Sequence, residues 1–528
     1  MIIRKTTLRV LAGLFCLTIL LLALPSALAA EVRIPAVIGD HMVIQQDKPV
    51  SIWGWAAKGE PVTVKLAGQE KKTRAGTDGK WQVAFDALKA GGSALEMTVS
   101  GEKGPAIVIK DILVGEVWLG SGQSNMEWAV DWLASPTPEI LRADHPQLRL
   151  FLVPKRTSDQ PKDDINAKWT LCTPETVRPF SAVLYYFGLD LHMRLGVPVG
   201  IIESAWGGTL IEPWTPPAGY AAVPETKPIL DKQIAKYEDY RKELGNALPA
   251  WEAWARDTQK ALKAKADIPA APANAALPTN PYDTPQAPTT LYNGMIHALT
   301  PFAIRGAIWY QGESNREDGL FYEKKMEALI RGWREVWKIG DFPFYFVQIA
   351  PYTYGYDRDM KSSPVLDHLW LPLLWEAQLN ALRIPNTGMA VVNDITDLND
   401  IHPRNKKDVG ARLALWARAK DYGERNLVYS GPLYKSMTIE GDKVRLAFDH
   451  VGGGLITNNG QPPTWFEIAG DDHVFYRAEA EISGDTIVVK SPRVIQPKAV
   501  RFAWSEVAIP NLANKEGLPA SPFRTDRW

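Results

Sequence analysis

The chain has 528 residues, of which 46% are apolar and 23% charged, with a formal net charge of −1. That length allows two or more domains with large buried cores, and the composition excludes a disordered or supercharged chain. The even charge balance gives no basic footprint for nucleic acid, two cysteines exclude a disulfide framework or a cysteine-held zinc site, and twenty tryptophans hint at sugar contact.

Residues 1–30 read as an export signal. Arg4, Lys5 and Arg9 form a positive start, Val10 to Leu24 is uncharged and apolar, and Ala27-Leu28-Ala29 has the small residues of a cleavage site. The apolar run is shorter than the roughly 20 residues a membrane span needs, which favours cleavage over anchoring. The expected product is periplasmic or secreted, with Cys172 as its one remaining cysteine. No later stretch is long and apolar enough to predict stable membrane insertion.

Residues 31–109 predict a small β-sandwich-like domain. Short alternating runs such as Val50–Trp55 and Pro61–Leu66 are separated by turn signals at Lys58-Gly59, Asp78-Gly79 and Gly91-Gly92. From 110 to 422 strand-like and helical runs alternate. Strands are expected at Val114–Leu119, Val199–Glu203, Gly306–Tyr310, Phe344–Ile349 and Met389–Val392. Ser181 can cap a helix ending before Gly196, Met326 to Val336 repeats at helical spacing, and a last helix covers Lys406 to Tyr422. This alternation predicts an α/β fold with a mainly parallel sheet. An insertion over about 216–290 interrupts it, first helical and charged, then rich in Pro and Ala from Asp267 to Thr290. Residues 423–528 return to β pattern and predict a C-terminal β domain.

Parallel sheets place their sites beyond the carboxyl ends of the strands, and four polar motifs stand there. Gly120-Ser121-Gly122-Gln123-Ser124-Asn125-Met126 sets a serine among small residues at a strand-to-helix turn, where its hydroxyl and N–H can face one space; the same pattern suits a plain Gly-Ser turn. Trp206-Gly207-Gly208-Thr209 can leave backbone N–H groups free for an anion. In Gln311-Gly312-Glu313-Ser314-Asn315, either Gln311 or Asn315 could donate to an oxyanion, and Glu313 could hold the loop. Asp397-Leu398-Asn399-Asp400-Ile401-His402-Pro403 offers a histidine with an acid two residues before it, a general base or a brace for the helix start.

The set GQSNM, WGGT, LYNGMIHALTPF, WYQGESN and NDIHPRNK resembles the sialate O-acetylesterase family of SGNH (GDSL-type) hydrolases, relatives of plant-polysaccharide acetylesterases acting on xylan or xyloglucan. Asp40 to Gln46 and Pro522-Phe523-Arg524 resemble the family's end motifs. The resemblance implies a three-layer α/β/α core flanked by small β domains. It implies an exported esterase that releases acetate from O-acetylated carbohydrate through an acyl-serine, with no cofactor or metal. Ser124 matches the nucleophile and His402 the base. The oxyanion hole matches the Ser124 N–H, Gly208 (with Gly207 as alternative) and Gln311, with Asn315 as its rival. The superfamily's usual Asp-x-x-His spacing is absent, because Asn399 stands there. Asp400 is therefore the expected partner of His402, with Asp397 in reserve and a Ser–His dyad open. His297 is the second choice of base. Two other readings stand beside this one: a non-catalytic glycan-binding protein on a hydrolase scaffold, and a GDSL-type lipid esterase. The sequence says nothing of oligomeric state.

Overall fold

A computed structural model describes residues 31–133, 138–272, 276–354 and 370–528. The expected export signal lies outside the described residues. No helix among the described residues is long and apolar enough to cross a membrane.

The N-terminal strands are β1 (Val43–Gln45), β2 (Val50–Trp55), β3 (Pro61–Leu66), β4 (Gln69–Arg74), β5 (Lys80–Phe85) and β6 (Leu95–Ser100). They lead into β7 (Ile107–Gly122), a strand of 16 residues. β3 pairs antiparallel with β4 and β6, and β6 pairs with the first part of β7. β2 and β5 form a separate antiparallel ribbon, and β1 runs parallel to β7 over Leu113–Gly115. The change of pattern expected at residue 110 therefore falls inside one continuous strand. β7 begins in the N-terminal β layer and ends as the central strand of the α/β sheet, and one apolar cluster runs from Val32 through to Ala417.

The α/β sheet adds β8 (His145–Leu152), β9 (Trp169–Cys172), β10 (Val199–Ala205), β11 (Gly306–Tyr310), β12 (Phe344–Gln348) and β13 (Thr387–Val391), in the order β13-β12-β11-β7-β10-β8-β9. All neighbours are parallel except β8 and β9. β10, β11 and β12 are buried along their whole length, which is why they read as continuous apolar runs.

The helices that matter for the site are α1 (Ser124–Glu127), α2 (Ala182–Leu195), α3 (Lys227–Ala264), α4 (Tyr322–Trp337), α5 (Trp370–Asn380) and α6 (Lys406–Lys420). α2 begins where expected: the Ser181 hydroxyl accepts the Leu184 N–H at 3.1 Å, and Gly196 closes it at φ +64°. α2 packs against α6, and α4 against α5. α3 is the charged insertion, 38 residues long and mostly exposed.

Residues 433–524 form three small antiparallel sheets over a second apolar core that includes Val444, Leu446, Ile487 and Phe502. Arg524 joins this unit to α5 through Glu376 at 2.9 Å, and Ser521 donates to Gln348 at the end of β12 at 3.2 Å.

Glu116, fully buried in β7, ties the opening motif to the core. Its carboxylate accepts Gln45 at 3.0 Å and Gln46 at 2.6 Å, both Arg305 donors at 2.7 and 2.9 Å, and the Tyr422 hydroxyl at 2.9 Å. Loss of the guanidinium would leave a buried carboxylate without its counterion. Arg305→Met is expected to lower stability by about 3–5 kcal/mol, read as a fall in the urea midpoint at unchanged slope.

Candidate active site

β7 delivers the serine. Gly122, at φ +139°, lets the chain pass so close to β11 that a Cβ there would lie 2.2 Å from the Tyr310 carbonyl oxygen. The next N–H, of Gln123, donates to that carbonyl at 3.0 Å. The turn then enters α1 with Ser124 as its first residue.

The loop after β13 brings His402 to it. His402 Nε2 lies 2.9 Å from Ser124 Oγ. The other ring nitrogen, Nδ1, is 3.5 Å from Asp400 Oδ1, an ion-pair contact too long for a strong hydrogen bond. The same Oδ1 accepts the His402 backbone N–H at 2.9 Å, while Arg404 reaches Oδ2 at 3.2 Å. Burial pushes the Asp400 carboxyl up, but the His402 N–H and Arg404 outweigh it and hold it below the ordinary carboxylate value. Asp397 points its carboxylate into its own turn, accepting the Asn399 N–H at 2.9 Å.

Two further supports hold the imidazole. Trp128 stacks on it, with centroids 4.7 Å apart and planes 27° apart, and Arg404 lies 4.7 Å over the same indole while donating to the Trp132 carbonyl at 2.8 Å. Beneath lies a buried polar relay. Lys406, the first residue of α6, donates its ammonium to Asn125 Oδ1. Asn125 Nδ2 donates to Glu313 Oε1 at 2.6 Å and to the Ile401 carbonyl at 3.0 Å. The relay thus links the residue after the serine to the residue before the histidine.

Burial pushes Lys406 down to about 7, against the pull of Glu313 and Asp400. Burial likewise raises Glu313, against its hydrogen bonds from backbone and Asn125. His402 is lowered by desolvation first and by the Lys406 charge second, with Asp400 opposing. Desolvation and the Lys406 charge together favour the free-base form of the imidazole.

The glycine motif lies beside the serine. The Gly207 N–H donates to Glu127, whose carboxylate also pairs with Lys155. Gly208, at φ +72°, has its carbonyl held by Gln286 at 2.8 Å, and no described residue takes its N–H. The N–H of Ser124 is likewise untaken. Gln311 and Asn315 are differently placed. The Gln311 amide donates to the Thr209 carbonyl at 3.1 Å and to Asn315 at 2.7 Å, and its oxygen accepts the Tyr322 hydroxyl at 2.7 Å. Asn315 donates to Glu212 at 3.0 Å and Asp318 at 2.7 Å. Both amides are spent on bracing the loops, so neither offers a free donor here. His297 sits elsewhere, 3.1 Å from the Tyr292 hydroxyl and 3.7 Å from Asp163.

Sequence reasoning missed the roles of Asn125, Glu127, Trp128, Lys155 and Lys406. Asn125 and Lys406 lie inside the motifs GQSNM and NDIHPRNK, but only the fold shows that these two polar residues meet.

A family described as "Carbohydrate esterase, sialic acid-specific acetylesterase" matches residues 268–416. The sialate O-acetylesterase of Rattus norvegicus is 32% identical over 444 residues, covering 77% of each chain. The human enzyme is 30% identical, over 76% of this chain and 73% of its own. Among solved structures, a carbohydrate acetylesterase from Xanthomonas citri is 36% identical with a TM-score of 0.78, covering 94% of this chain and all of its own. The motifs noted in the sequence, the α/β sheet that gathers them and these relationships agree: the chain is an ester hydrolase and belongs to the sialate O-acetylesterase family.

Proposed function

We propose that this protein is an exported carbohydrate O-acetylesterase that works through an acetyl-serine on Ser124. The 2.9 Å contact between Ser124 Oγ and His402 Nε2 carries the reading. His402 takes the Ser124 proton as the oxygen attacks the acetyl carbonyl carbon. The developing oxyanion lies where the free N–H groups of Ser124 and Gly208 can meet it. Collapse breaks the bond to the sugar oxygen, which leaves with the proton from His402. Water then gives a proton back to His402, attacks the acetyl-enzyme and releases acetate, restoring the serine. Asp400 orients the imidazole together with Trp128.

The sugar is the finer part of the reading. Two arginines that could meet a sialate carboxylate already have partners. Arg404 is engaged by Trp132, Asp400 and the Trp128 ring, and Arg316 by Glu317 and the Tyr354 ring. Trp132 is 49% exposed beside Trp128, a flat apolar surface suited to a pyranose face. The exposed indole suits a neutral acetylated polysaccharide such as xylan or xyloglucan. Acetate release from acetylated sialosides, xylan and xyloglucan fragments, compared as kcat/KM, decides it; a preference for the sialoside reverses the choice of sugar.

Ser124→Ala is expected to lower kcat by at least about 10³-fold with the fold intact. Near-normal turnover of an aryl acetate by that variant would remove Ser124 as nucleophile. Asp400→Asn is expected to cost more than Asp397→Asn, at most about 10⁴-fold, in kcat/KM on one acetyl ester. Equal tolerance of both, with His402→Ala inactive, would mean a dyad.

The Lys406 charge disfavours protonation of His402. Lys406→Met therefore is expected to raise the imidazole pKa and move the acid limb of the kcat/KM profile to higher pH. An unmoved limb in a folded variant would show that the ammonium does not act on the base.

A further inference from the structure

A second cleft lies between the β2–β5 ribbon and the loop that holds His297, apart from the residues around Ser124. It encloses about 380 Å³ and is lined by Trp53, Trp55 and Trp81 with Gln82, Asp163 and His297 among its polar groups. The ribbon's register puts two of these indoles on one face. Trp53 opposes Gln82 and Trp55 opposes Lys80, and opposed residues in an antiparallel pair share a face. Trp53 and Trp55 are two residues apart, so both indoles stand on that outer face, each half-buried.

Ion pairs fix the opposite wall. Lys80 donates to Asp163 at 2.9 Å, and His297 approaches the same carboxylate at 3.7 Å. Asp164 accepts the Ala36 N–H at 2.8 Å, joining the segment between β8 and β9 to the N-terminal layer. Arg33 lies 5.2 Å over the Trp55 ring and holds it in place. The buried indole N–H of Trp81 finds no hydrogen-bond partner among the described residues.

We infer that this cleft is a second carbohydrate site, taking the neutral pyranose units of a glycan chain. Indole faces pack on the apolar C–H faces of sugar rings. Gln82 and Asp163 offer donors and acceptors for the equatorial hydroxyls, and a cleft of this size holds a small ligand. Arg33 and Lys80 stand against Asp78 and Asp163, so no net positive charge draws an acidic sugar. The Lys80 ammonium is already paired with Asp163, burial lowers His297 and favours its neutral form, and Asp78 and Asp163 are acidic. The site would hold a polysaccharide on the protein while another part of it meets the esterase centre.

Isothermal titration with cellohexaose tests this, using protein that carries Ser124→Ala so that the reactive serine is absent. The unaltered cleft should bind, and Trp55→Ala should weaken binding about tenfold or more, the loss of one stacked ring and its buried area. Gln82→Arg, at an exposed position where folding is tolerant, should block the cleft and give the same loss. In otherwise active protein both substitutions should leave kcat/KM on a small aryl acetate unchanged, which shows that the fold and the esterase centre are intact. Cellohexaose affinity unmoved by both substitutions, no binding at all, or tighter binding of 3′-sialyllactose that Trp55→Ala abolishes would each overturn the inference.

Discussion

The candidate active site is built around a lysine amine taken out of water. Lys406 is 1% exposed, and its hydrogen-bond partner is an amide, Asn125, with the Glu313 carboxyl on the amide's far side. Burying such a charge costs several kcal/mol, and the cost is offset only where geometry is good and the remaining polar atoms are met. Here the offset comes from three chain segments together: the turn after β7, the loop after β11 and the start of α6. The Trp128 and Tyr310 rings, 5.7 and 5.4 Å from the ammonium, complete its surroundings. Ser124 and His402 are each one residue away from a member of this relay. The relay thus fixes the chain on either side of their 2.9 Å contact.

A second buried charge does the corresponding work further back along β7. Glu116 gathers the opening motif, the start of β11 through Arg305 and the end of α6 through Tyr422. α6 is therefore held by a polar contact at each end, Lys406 at its first residue and Tyr422 just past its last. Since α6 also packs on α2, the histidine loop enters the helix with little freedom in position. The N-terminal β layer is part of this arrangement: β1 lies on β7, and one core serves both.

Much of this was legible in the sequence. Apolar runs with clear punctuation, such as Ser181 to Gly196 or Gly306 to Tyr310, appear as elements at almost the same bounds, because caps and full burial leave local signals. β8 and β9 went unread, since His145–Leu152 begins with three polar or exposed residues and Trp169–Cys172 is only four long. The N-terminal boundary looked sharper than it is, because a change of pattern at residue 110 coincides with one strand moving from a half-exposed layer into a buried sheet. Within the site, Ser124, His402 and Gly208 stood out as chemistry-bearing types in motif positions. The Gln311 amide did too, but sequence cannot show that Thr209, Asn315 and Tyr322 already use its hydrogen-bonding capacity.

Under the proposed mechanism, the support of His402 accommodates the departure from Asp-x-x-His spacing. An orienting carboxylate has to fix the ring's tautomer and its plane. Here the plane is fixed by Trp128, itself pinned by Arg404, and the loop is fixed by the Asp400 contact to the His402 backbone N–H and by Asn125 on Ile401. With the ring held from its face and the backbone held from two sides, Asp400 lies 3.5 Å from Nδ1. Arg404 joins the two supports, since one guanidinium touches both the acid and the indole. Asp400 meets the His402 backbone N–H at 2.9 Å and Nδ1 at 3.5 Å, and the stacked indole supplies a constraint on the ring that the longer contact does not.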